Sequence, residues 1–180
     1  WSVRKARLER AVVELEGGAE PLPIGVDAEI GELSSEPGSR WPVTLRVAQG
    51  EGPLGVDGQL AIDPLAFDGK LAIRELALAP LLARIDAPAV GLLRQGKARA
   101  ELSIGLATDL HVSGTLGLAG LDVGEEKTAK EFGVAWKDFE LGIRDLSVPG
   151  LIGATDVPAT RAIGVKLDRI RLLEPAFTIT

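Results

Sequence analysis

The sequence predicts a mainly β protein: long antiparallel strands in a curled, twisted sheet (a β-groove), with one short or broken helix near residues 80–94. Three observations predict it. Apolar and polar residues alternate over many segments, the alternation slips by one residue at a recurring point, and glycines recur on the apolar side. Period-two alternation gives each strand one greasy and one wet side, as in antiparallel sheet. Parallel strands covered on both faces read as continuous apolar runs instead.

Two segments show the alternation clearly. Leu22, Ile24, Val26, Ala28 and Ile30 interleave with Pro23, Gly25, Asp27 and Glu29. Ala98, Ala100, Leu102, Ile104 and Leu106 interleave with Lys97, Arg99, Glu101, Ser103 and Gly105. Turn chemistry separates such runs at Gly17-Gly18, 34–39, 49–53, Asp63-Pro64 and 107–109. The helix is expected to begin at Pro80, which suits a first helical turn, with Leu81, Leu82 and Ile85 on one face. Pro88 and Gly91 interrupt it and Gly96 is expected to end it. Residues 125–132, with Glu125, Glu126 and Lys127, read as a charged loop.

Two internal repeats refine the strands. The first is apolar-x-Gly-x-Leu-x-apolar, centred on Gly58, Gly69 and Gly114. Each glycine falls on the apolar side, where it weakens a strand unless a bend, a bulge or a close approach requires it. The second places apolar residues at i, i+2, i+5 and i+7. It occurs at Leu71, Ile73, Leu76 and Leu78, at Leu116, Leu118, Leu121 and Val123, and at Leu141, Ile143, Leu146 and Val148. Val165, Leu167, Ile170 and Leu172 repeat it, and Ala6, Leu8, Ala11 and Val13 match it more weakly. One extra residue between two alternating halves is what a β-bulge inserts.

Composition narrows the function. With 20 Lys and Arg against 26 Asp and Glu, the net charge is −6, which argues against a nucleic-acid partner. Basic residues gather at Arg4, Lys5, Arg7 and Arg10 and at Lys166, Arg169 and Arg171, interleaved with apolar positions as on solvated strand faces. There is no cysteine, so disulfides, thiolate metal sites and thiol nucleophiles are excluded. His111 is the single histidine and lies on the polar side of its strand, with no ligand or triad partner at a telling spacing. No phosphate-binding loop, dinucleotide fingerprint or nucleophile elbow is present. These features point away from an enzyme, a metal site and a bound cofactor. The run 110–121 is too short to cross about 30 Å of hydrocarbon.

The two repeats together resemble the AsmA-like superfamily of bacterial envelope proteins, over residues 55–82, 110–123 and 132–179. The last stretch holds a Trp-led strand (Val134-Ala135-Trp136-Lys137-Asp138-Phe139-Glu140-Leu141), slip strands, Val148-Pro149-Gly150, and a closing Leu-x-x-Pro segment ending Pro175-Ala176-Phe177. It is similar to the uncharacterised AsmA relatives of Gram-negative bacteria. The resemblance implies a repeating β-groove with an apolar floor, in a bridge-like lipid transporter anchored in the inner membrane and reaching across the periplasm. On that basis residues 1–180 are expected to be one groove segment of a longer protein, truncated at both ends, with its anchor outside the chain.

The expected function is to bind or conduct lipid acyl chains, with phospholipid, adjacent segments of the same chain and other envelope proteins as partners. The candidate groove residues are Leu60, Ile62, Leu71, Ile73, Ala100, Leu102, Ile104, Leu116 and Leu118, with Gly58, Gly69 and Gly114 as structural glycines. The alternative is a scaffold for outer-membrane biogenesis, the same face packing on a protein partner.

Overall fold

The computed structural model describes residues 1–15, 21–49, 52–82, 93–125, 132–152 and 163–179. Nine strands form one antiparallel sheet: β1 (Ser2–Leu15), β2 (Leu22–Ser34), β3 (Arg40–Gln49), β4 (Gly52–Ile62), β5 (Leu65–Ala77), β6 (Leu93–Leu106), β7 (Leu110–Glu125), β8 (Phe132–Val148) and β9 (Gly164–Ile179). Their order in the sheet is their order in the chain, and the sheet is not closed into a barrel. A single turn of helix, α1 (Ala79–Leu82), follows β5.

Of the short or broken helix expected near 80–94, Ala79–Leu82 form the described turn. Residues 83–92 lie outside the described residues, and Leu93 and Arg94 already belong to β6, where Leu93 pairs with Val123 of β7. Gly96 is likewise inside β6 rather than at a helix end. Sheet pairing claims these residues because β7 is long enough to reach them. The expected turns at 34–39, Asp63-Pro64 and 107–109 join β2 to β3, β4 to β5 and β6 to β7. Gly17-Gly18, residues 50–51 and 126–131 lie outside the described residues.

All five phase slips coincide with register irregularities. Pairing shifts between Leu8 and Ala11 in β1, between Ile73 and Leu76 in β5, opposite Gly120 in β7, between Ile143 and Leu146 in β8, and between Leu167 and Arg169 in β9. A residue of left-handed backbone often makes the slip: Arg10 (φ 55°), Glu75 (φ 47°) and Gly120 (φ 57°) each immediately precede the apolar residue that resumes the pattern. Glu32 (φ 51°) does the same before Leu33, and Glu174 (φ 47°) before Pro175. Non-glycine residues adopt this conformation rarely, so the slip is imposed by the sheet rather than by local preference.

Among the described residues, no second layer covers the sheet. The chain exposes 12214 Å², against roughly 8,300 Å² for a compact monomer of its mass. Among the described residues no side chain is fully buried, and the most sheltered apolar residues are Ala61, Ala100, Val112, Leu121 and Ile143. Three of these, Ala100, Val112 and Ile143, lie on the apolar face in β6, β7 and β8. Toward the edges the apolar face is open: Leu8, Val13, Ile170 and Leu172 are all exposed.

Candidate apolar binding face

Register converts the alternating strands into continuous rows. One row runs Leu8, Ala28, Leu45, Val56, Leu71, Leu102, Gly114, Ile143, Leu167, one residue from each strand in turn. A second runs Ala11, Val26, Val47, Leu54, Ile73, Ala100, Leu116, Leu141, Ile170. A third runs Ala6, Ile30, Val43, Gly58, Gly69, Ile104, Val112, Leu146, Val165. Every position in the three rows is aliphatic or glycine. Eight inter-strand steps of about 4.8 Å make this belt roughly 38 Å across, and three rows span roughly 14 Å along the strands.

The candidate groove residues fall on this face. Leu71 and Leu102 lie in the first row, Ile73, Ala100 and Leu116 in the second, and Ile104 in the third. Leu118 pairs with Ala98 and Phe139 just beyond the second row. Leu60, between Trp41 and Phe67, and Ile62, opposite Leu65, extend the face toward the β4–β5 turn, where Ile62 is exposed.

The three structural glycines are the only glycines in the rows, and each has a local cause. Gly58 and Gly69 face each other across β4 and β5, and the Phe67 ring lies over both. A Cβ on Gly69 would sit 2.6 Å from Phe67 Cζ and 2.5 Å from the Asp57 carbonyl oxygen. Gly114 has φ +132°, and a Cβ there would press into the backbone of Glu101 and Leu102 at the β7–β8 register shift. The pairing of Gly58 with Gly69 was readable from sequence, since a two-residue turn at Asp63-Pro64 fixes partners that sum to 127.

The opposite face is charged and knitted across strands. Arg46 lies flat over Gly55 and donates to Asp57 Oδ1 and Oδ2 at 2.7 and 2.9 Å. Arg99 lies over Gly117 and donates to both oxygens of Asp138, at 2.8 and 2.9 Å. Arg144 pairs with Asp168, Lys137 with Glu174, and Arg169 with Glu140. The bond from Arg46 holds the Asp57 carboxyl below its ordinary range, and Lys97 does the same for Glu75. His111 is exposed on this face, its Nδ1 3.1 Å from Asp145 Oδ1. A cavity of about 260 Å³ beside it is lined by Arg40, Gln59, Asp68 and Gly105 among others. Among the described residues, no group of three or more His, Asp and Glu is placed to hold a metal ion, and no helix is long and apolar enough to cross a membrane.

Among the described residues, the indole nitrogens of Trp41 and Trp136 are buried and have no hydrogen-bond partner. A buried donor left unmatched costs about 1–3 kcal/mol. Sequence reading had no means to find these donors, because their isolation follows from how neighbouring strands cover them.

Comparison of the chain with protein-family models, with curated proteins and with solved structures finds no match.

Proposed function

We propose that this chain is a non-catalytic module whose apolar face binds or conducts lipid acyl chains. The observation that supports the reading is the uninterrupted aliphatic belt, contributed by all nine strands and covered by no second layer among the described residues. Such a belt needs no specific residue to hold a lipid tail. Burying about 14 methylenes gains on the order of 10 kcal/mol before ordering costs. The ion pairs of the opposite face keep that side wet, so a tail has one side of the sheet to occupy. Placement in the periplasm of a Gram-negative envelope, with an inner-membrane anchor outside this chain, rests on the resemblance of the slip strands to AsmA-like proteins.

The test is lipid extraction and mass spectrometry on protein purified without detergent, comparing the native chain with Leu102→Glu. Leu102 sits mid-row between Leu71 and Gly114. An open face lets the new carboxylate reach water, so the variant is expected to stay folded and lose its co-purifying lipid. Unfolding instead would identify the face as a core covered by protein, the scaffold reading, because an unpaired buried charge costs several kcal/mol. A folded variant with its full lipid load would remove Leu102 from the path.

A further inference from the structure

We infer that Phe67 sets which acyl chains the apolar face holds, by filling a notch in the belt that would otherwise favour bent chains over straight ones. The inference rests on the lipid reading above and concerns the shape of the chain. Its source is the pair of glycines in the third row. Gly58 and Gly69 face each other across β4 and β5, with Val43 and Ile104 on either side of them. Two adjacent positions without side chains leave a gap in a ridge of otherwise aliphatic residues. The gap spans three inter-strand steps between the flanking backbones, roughly 14 Å.

Phe67 closes this gap from the next row. It stands two residues before Gly69 on β5 and opposite Leu60 of β4. The Cβ that Gly58 lacks would lie 2.6 Å from Phe67 Cζ and 2.7 Å from Cε2, and that of Gly69 would lie 2.6 Å from Cζ. The far edge of the ring therefore sits at the level of the missing methyl groups, sunk into the row. Gly114, the third glycine of the rows, makes no such gap, because backbone of Glu101 and Leu102 already fills the space where its side chain would go.

The borrowed ring levels the floor. A radial gap of about 0.5–1 Å already forfeits a quarter to a half of a dispersion contact, so a chain on this face gains most where the floor is unbroken. With the ring in place, a straight saturated chain crossing the glycine pair keeps contact throughout. With the ring gone, it would bridge a void, whereas a chain bent by a cis double bond can turn its elbow into the notch. Among the described residues no second layer lies over the ring, so its outer side faces the ligand.

The test loads the full chain, purified without detergent, with an equimolar mixture of hexadecanoic acid and cis-9-hexadecenoic acid. The ratio extracted from the native chain, measured by mass spectrometry, is the reference. Phe67→Ala should move that ratio toward the cis chain by about fourfold to fifteenfold, the change expected when one or two methylenes of the straight chain lose the floor. Leu60→Ala truncates the neighbour of Phe67 in the same row without opening the notch. It should lower uptake of both acids and leave their ratio at the native value. Phe67→Leu covers the glycine pair only in part and should shift the ratio the same way by less; it carries the test if circular dichroism shows Phe67→Ala unfolded. A ratio unmoved by the Phe67 substitutions, or moved equally by Leu60→Ala, would overturn the inference and leave the lipid reading in place. Failure of the native chain to take up either acid would instead overturn the lipid reading, and this inference with it.

Discussion

Replacing Gly69 with valine tests the tightest point of the apolar face. The first added atom would lie 2.5 Å from the Asp57 carbonyl oxygen, 2.6 Å from Phe67 Cζ and 2.9 Å from Gly58 Cα. The ring can swing aside, but the other two atoms are backbone of the adjoining strand, so β4 and β5 must part locally. Overpacking of this kind costs typically 1–3 kcal/mol, and two unyielding backbone contacts place Gly69→Val near the upper end, about 3 kcal/mol. For a chain of this length that is roughly 6–12 °C in thermal midpoint. Urea denaturation followed by far-UV circular dichroism measures it. In a Phe67→Leu background the ring contact disappears while the Asp57 oxygen remains. The same substitution should then cost about 1 kcal/mol less, and the two changes should be non-additive. An unchanged midpoint for Gly69→Val, or a cost indifferent to Phe67, would refute the argument that the ring and the glycine pair form one packed unit.

Gly114→Ala should destabilise by roughly 3 kcal/mol in the same assay, because φ +132° and the Glu101 backbone both oppose a side chain. Arg10→Gly should be neutral or stabilise by up to about 1 kcal/mol by relieving a left-handed non-glycine residue, whereas Arg10→Val should be clearly destabilising; equal effects would deny the strain. Asp57 has a folded pKa lowered by Arg46, so its contribution is present above the ordinary aspartate value of about 3.9 and fades as pH falls through the lower folded value. Urea midpoints of the native chain and Arg46→Gln should thus differ modestly at pH 6 and converge in strong acid.

Much of this architecture was legible because a one-layer sheet writes its two faces directly into the sequence. The slips at Leu8 to Ala11 and Ile73 to Leu76 were visible as missed beats in the alternation, and they mark where pairing shifts. Their handedness was not visible. Arg10, Glu75 and Glu174 are ordinary surface residues by type, and only the backbone shows that each takes a conformation usually left to glycine. At the far end of the stretch 80–94, Leu93 looks equally apt for a helix or a strand, and pairing with Val123, distant in sequence, places it in β6. Alternation within strands is enough to put the candidate residues on one side of the sheet. That its rows would run unbroken from β1 to β9 depends on eight registers, most of which are set by loops whose lengths alone do not fix them.

Each strand of this sheet leans only on its predecessor and its successor in the chain. Assembly can therefore follow synthesis: each hairpin closes as it leaves the ribosome and adds to the growing edge without waiting for distant sequence. Stability becomes a sum of neighbour terms, as in repeat proteins, rather than the property of one shared core. The molecule can also change size without losing its pattern. Excising an adjacent pair such as β4 and β5 restores antiparallel order between β3 and β6 and leaves every remaining strand with the same face toward the belt. Removing one strand alone would reverse the direction of every strand that follows. Length in such a sheet is thus free to vary in units of two strands, and the span of the apolar belt varies with it.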